Sequence, residues 1–140
     1  MFLSLFNSFA LPKNPPLIVC LQDPQVWRNR LPFHAGFTSF APLVPNRRTR
    51  VAFYVFKPLI DMATITPIFT DRSDHATLEI SAHSLFRTKA ERFHIVNCSK
   101  VWGSTATERT VSPLLALPST ALPTLVVGDF NIHHPSADPL

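Results

Sequence analysis

The sequence predicts a strand-rich α/β (α+β) fold, and three features of it carry that prediction. Short apolar runs rich in Val, Ile and Phe recur along the chain, each ended by proline or a polar pair. Only one segment has the start and stop signals of a helix. Two of the apolar runs end on a carboxylate, at Gln22-Asp23 and at Gly128-Asp129, the place where sites form in layered α/β proteins.

Taken in order, residues 1–16 form a proline-containing tail, and residues 17–140 hold the candidate domain. Residues 17–21 (LIVCL) follow two prolines and read as a buried strand. Residues 24–29 have room for one helical turn, and the Pro- and Phe-rich stretch 31–46 reads as loop. Residues 50–56 (RVAFYVF) are a strand stopped by Pro58. Residues 64–69 (TITPIF) are β-branched, but Pro67 lacks an amide N–H and confines the segment to an edge or a bulge. Residues 76–80 (ATLEI) and 93–97 (FHIVN) alternate and read as strands. The helix candidate is 110–117, with Ser112 able to cap it and Pro113 at its first position. Residues 124–127 (TLVV) form the last strand.

Composition narrows the class. Apolar residues make up 46% of the 140, enough for a core and too many for a disordered chain. Charged residues make up 16%, below the roughly 25% of an average domain. That leaves less polar surface than a self-sufficient monomer presents, which hints at a partner or at further sequence. With 14 Pro and 3 Gly, the loops are stiff and extended rather than tightly turned. A net charge of +4 and a pI near 9.6 suit a nucleic-acid partner, and equally an ordinary solvated surface. The cations gather at Arg28/Arg30, Arg47/Arg48/Arg50 and Arg87/Lys89/Arg92. Cys20 and Cys98 are too few for a disulfide framework or a zinc knuckle and read as buried reduced thiols. Residues 1–10 have no basic leader segment and are too short to span a bilayer, so the expectation is a nuclear or cytoplasmic protein, not secreted, with no membrane segment.

The strongest motif is Val126-Val127-Gly128-Asp129-Phe130-Asn131. Gly128 lets the backbone turn or approach a ligand closely. Asp129 and Asn131 stand two apart, so in extended geometry they share a side. A carboxylate beside an amide can orient a water and hold a phosphate oxygen. The same letters also suit an Asx-rich turn after a strand.

Gly-Asp-Phe-Asn after an apolar run resembles the signature of the endonuclease/exonuclease/phosphatase superfamily. The longer string 122–135 (LPTLVVGDFNIHHP) is most similar to the endonuclease domain of LINE-type (non-LTR) retrotransposons. Residues 17–24 (LIVCLQDP), 50–55, 71–80 (DRSDHATLEI) and 92–97 (RFHIVN) follow the same pattern in order, so the likeness runs from about residue 17 to 140. The resemblance implies a partial two-sheet β-sandwich flanked by helices. It also implies a metal-dependent DNA endonuclease using Mg²⁺, or Mn²⁺ in its place. By position, Asp23 matches the family's metal ligand, Asp129 the residue that orients the attacking water, and Asn131 the phosphate contact. His133 and His134 would stand behind these or touch DNA. DNA is the implied partner, with a reverse transcriptase region in a longer parent protein; no organic cofactor is implied.

The pattern is broken in four places. Asp23 stands where the family has Glu, which draws the carboxylate back by about 1–1.5 Å in a geometry that tolerates little slack. Ser99 and Lys100 replace a Tyr-Asn pair. The family's first strand, with its Asn, has no match before Leu17. Its closing Ser-Asp-His has no counterpart after Asn131, and Ser73-Asp74-His75 spells those letters too early in the chain. Two alternatives therefore stand beside the endonuclease: a catalytically inactive remnant that binds nucleic acid weakly, and a phosphatase-like or RNA-cleaving member of the same superfamily.

Overall fold

A computed structural model describes residues 17–82, 91–99 and 122–129. Seven strands and one short helix follow in the order β1 (Ile18–Gln22), β2 (Phe37–Phe40), β3 (Val51–Phe56), α1 (Lys57–Met62), β4 (Ala63–Ile68), β5 (His75–Ala82), β6 (Glu91–Ser99) and β7 (Thr124–Asp129). They form two sheets, β1-β3-β2 and β4-β5-β6-β7. The strand-rich, two-sheet expectation holds.

Alternation along β3 explains why the sheets face each other. Val51, Phe53 and Val55 point inward and are fully buried against Ala76, Leu78 and Ile80 of β5 and Ile95 of β6. Ala52 and Tyr54 point the other way, into a second cluster with Phe37 that the loops of the first sheet cover. Burying each large apolar side chain contributes about 1.5–3 kcal/mol, so β3, apolar on both faces, anchors both layers. The Tyr54 hydroxyl donates to the carbonyl of Pro32 at 2.7 Å, tying the loop to the outer layer. Burial pushes that phenol up to about 12.

Two local expectations are corrected, and a third is extended. Residues 24–29 contain no helical turn: Trp27 and Arg30 exchange backbone hydrogen bonds of 3.0 and 2.9 Å across a two-residue turn. Arg28 (φ 48°) and Asn29 (φ 60°) are both left-handed, as a type I′ turn requires. Residues 31–46 are not all loop, because β2 pairs antiparallel with β3 from Phe37↔Phe56 to Phe40↔Phe53. Its aromatic ends satisfy the edge of β3, a gain that the surrounding prolines hide in the sequence. Pro58 does more than stop β3: it sits in the first turn of α1, where a missing N–H costs nothing.

The edge reading of Pro67 agrees with the sheet order, since among the described residues β4 is the outermost strand of its sheet and pairs only with β5. β6 and β7 are parallel, from His94↔Thr124 to Ser99↔Asp129. The predicted helix 110–117 lies outside the described residues. Cys20 and Cys98 are free thiols, both pushed up to about 11 by burial, so neither is a ready nucleophile near neutral pH. No helix among the described residues is long and apolar enough to cross a membrane.

Candidate functional site

Strand direction gathers polar residues at one end of the sandwich. The carboxyl end of β1 meets the start of β3 through Gln22↔Val51. Beyond the ladder, Asp23 N–H donates to the Arg50 carbonyl at 2.7 Å, and Arg50 N–H to the Ser73 carbonyl at 3.0 Å. Ser99 N–H then donates to the Asp74 carbonyl at 2.8 Å, and Ser99 is the register partner of Asp129. Asp23 and Asp129 therefore lie at the same end, on different sheets. Neither ends a fully buried strand: all five residues of β1 are half-buried, and Gly128 and Asp129 are exposed.

Asn97 holds this end together. It is fully buried, and its inward direction follows from its register partners Ala76 and Val127, which pack in or against the core. Its amide nitrogen donates to the carbonyls of Leu21 at 3.1 Å and Ala52 at 3.0 Å, while its amide oxygen accepts from Gln22 Nε2 at 2.6 Å. One side chain from β6 thus bolts β1 and β3 to the second sheet directly beneath Asp23. Sequence reading placed Asn97 at a strand end, but an Asn facing the interior looks the same in sequence as one facing solvent.

Gly128 has a steric reason to be glycine. Its φ is +155°, and a Cβ there would overlap the carbonyl oxygen of Cys98 and stand 2.8 Å from the carbonyl carbon. The close approach foreseen at Gly128 is thus to the backbone of β6. It seats β7 tightly and places Asp129 on the same face of the sheet as Val127 and Asn97.

The Asp23 carboxylate is paired with arginine side chains. The residue's backbone is left-handed (φ 48°), and its carboxylate faces Arg50 Nε at 3.2 Å and Arg48 Nη2 at 3.9 Å. The Arg50 contact is an ion pair rather than an aligned hydrogen bond. Both guanidinium groups meet Oδ1, and their charge disfavours a divalent ion on that oxygen. Among the described residues, no group of three His, Cys, Asp or Glu could hold a metal ion. Asn131, expected at the phosphate, and His133 and His134, expected behind the site or on DNA, lie outside the described residues.

Ser73-Asp74-His75 turns out to be structural. Arg72 grips Asp74 with two hydrogen bonds of 2.8 and 2.5 Å, and His75 Nδ1 lies 3.5 Å away. Burial pushes the Asp74 carboxyl up, but the Arg72 hydrogen bonds and charge, with help from His75, bring it below its ordinary range. His75 shares the register of Cys98 and Gly128, so it projects from the face opposite to Asp129. On the same outer face, Glu79 is held low by Arg92 at 2.6 Å and His94 at 3.0 Å. His94 is therefore occupied by a carboxylate, in keeping with a structural reading.

Around the Asp23 end, the loops before and after β2 carry Trp27, Arg28, Arg47 and Arg48 on a groove that sequence spacing could not assemble. Comparison of the chain with protein-family models and with curated protein sequences gives no match, so any functional reading rests on the residues themselves.

Proposed function

We propose that this chain is a nucleic-acid-directed domain on the plan of the metal-dependent DNA endonucleases of LINE-type retrotransposons, with Asp129 as the residue on which cleavage depends. The observation that supports it best is the meeting of the Gly128-Asp129 and Gln22-Asp23 strand ends at one end of a two-sheet sandwich. The segments that resemble that family's motifs overlap β1, β3, β5, β6 and β7. In this reading the flanking helices of the superfamily, DNA as substrate and Mg²⁺ (or Mn²⁺) as cofactor accompany the strand plan. Asp129, with Asn131 beside it in sequence, supplies the carboxylate and amide that such hydrolysis uses.

The second reading, a domain that binds nucleic acid without cutting it, is favoured by Asp23, whose carboxylate is already paired with Arg50 and Arg48. Supercoiled plasmid separates the two. Nicking that requires Mg²⁺ and disappears in Asp129→Ala establishes the endonuclease. A mobility shift of DNA with no nicking in either protein establishes the binding domain. The Asp23 pairing leads us to expect binding, with nicking at least 10²-fold below that of a site with all its charge-stabilising groups. Neither nicking nor a shift would remove both readings.

A further inference from the structure

We infer that the groove around Trp27 is a binding track for single-stranded nucleic acid, in which the indole stacks on an unpaired base and arginines hold the phosphates on either side. This rests on the nucleic-acid reading above but not on cleavage. Among the described residues, the track lies on the outer loops of the first sheet and does not include Asp129.

Two hollows meet at Trp27. One, of about 780 Å³, runs between residues 24–29 and 43–49 and is lined by Arg28, Arg47 and Arg48, with no carboxylate among the described residues that line it. The other, of about 690 Å³, continues past Trp27 to Arg30 and Pro32. Two stretches of basic sequence, one on each side of β2, thus converge on one surface. The charges are available to a ligand: Arg48 is 71% exposed despite its long contact with Asp23, and Arg47 makes one exposed 3.4 Å hydrogen bond to the Asp71 carbonyl.

The indole is what distinguishes this groove from a general anion patch. Trp27 is 74% exposed, although it is among the most apolar groups in the chain. The type I′ turn holds it out, with both central residues left-handed and Trp27 hydrogen-bonded to Arg30 through the backbone. Arg28 lies over the ring at 5.6 Å, so a cation and a π-face are presented together. An acidic peptide would use the arginines and leave the indole idle. A duplex offers phosphates but keeps its base faces stacked, showing only edges in the grooves. Alternating phosphates and free base faces belong to a single strand, for which arginine-lined grooves with aromatic platforms are the general solution.

The test uses the full chain with Trp102→Phe, which leaves Trp27 as the sole indole, titrated with a dT dodecamer in EDTA at low salt. Saturable quenching of Trp27 is expected, weakening as salt rises. By anisotropy of a labelled dodecamer, Trp27→Ala and the double variant Arg28→Ala/Arg48→Ala should each lose at least fivefold in affinity, with circular dichroism unchanged. A blunt duplex of equal length should bind more weakly than the single strand. Absence of quenching, wild-type affinity in Trp27→Ala, equal binding of the duplex, or equal displacement by poly-glutamate would each overturn the track. Because EDTA excludes metal-dependent cleavage, failure of plasmid nicking leaves this result standing, and failure here leaves nicking to be judged on its own.

Discussion

The polar end of the sandwich divides into two regions of opposite character. Inside, Asn97 and Gln22 spend their hydrogen-bonding groups on each other and on the backbone, and Asn97 is sealed from solvent. A few residues away on the rim, Trp27, Arg47 and Arg48 make few or long internal contacts and stay exposed. The difference separates residues that build the site from residues that can engage a ligand. A buried amide with all its partners inside the protein stabilises the fold; an exposed indole among cations adds little to it and stays open to a ligand.

The largest effect expected from breaking this contrast is at Asn97. Asn97→Leu keeps the heavy-atom count and branching and removes the hydrogen bonds, leaving the half-buried Gln22 amide and the Leu21 and Ala52 carbonyls without that partner. Each buried group left unsatisfied costs about 1–3 kcal/mol, so a loss of about 3 kcal/mol is expected in urea unfolding. A loss below about 1 kcal/mol would mean that the bolt carries little, and that packing alone holds β1 over β6.

Gly128→Ala comes next. The new methyl group would meet the Cys98 carbonyl, so β7 must move away from β6. Overpacking of this kind costs about 1–3 kcal/mol. Hydrogen exchange should show the Ser99–Asp129 end of the β6–β7 pair losing protection before β5, and any Asp129-dependent nicking should fall with it. Unchanged protection would show that the backbone absorbs the methyl group locally.

How much of this could be read beforehand follows the same division. Strands with a continuous or alternating apolar pattern were legible, including the edge position of Pro67, because burial imposes the pattern. β2 was not, since FTSF is short and its pairing with β3 is a long-range gain set among prolines. The turn at Arg28-Asn29 was hidden because it lacks glycine, the usual sign of left-handed backbone. Asp23 was read as a metal ligand from its place in a motif; what occupies its carboxylate comes from Arg48 and Arg50, brought alongside by strand pairing. The groove could not be foreseen either, because its two arginine clusters lie on opposite sides of an unrecognised strand.

The Asp74–Arg72 pair gives a pH prediction. Asp74 is lower in the folded chain than the roughly 3.9 of an unfolded aspartate. A depressed carboxylate contributes stability that is present above the unfolded value and lost as pH falls through the folded one. Acid unfolding should therefore draw on this pair only below about pH 4. Arg72→Met removes the hydrogen bonds that oppose burial, so the Asp74 carboxyl should rise and the acid unfolding midpoint should move to higher pH. A midpoint that stays put, followed by circular dichroism between pH 6 and 2, would mean that His75 alone suffices to hold the charge.

The smallest expected effect lies on the rim, and its smallness is what sharpens the contrast with Asn97. Arg47→Ala/Arg48→Ala removes one exposed 3.4 Å hydrogen bond and one 3.9 Å ion pair. Exposed pairs of this kind are worth about 0–1 kcal/mol, and surface substitutions away from caps and packed groups fall within about 0.5 kcal/mol. Asp23 keeps its closer partner, Arg50, at 3.2 Å, and its backbone bond to Arg50 is untouched, so the end of β1 should hold its place. Urea unfolding of the double variant should match wild type within about 0.5 kcal/mol. A loss above about 1 kcal/mol would show these arginines to be part of the scaffold, and the rim would then owe its charge to the fold and not to a ligand.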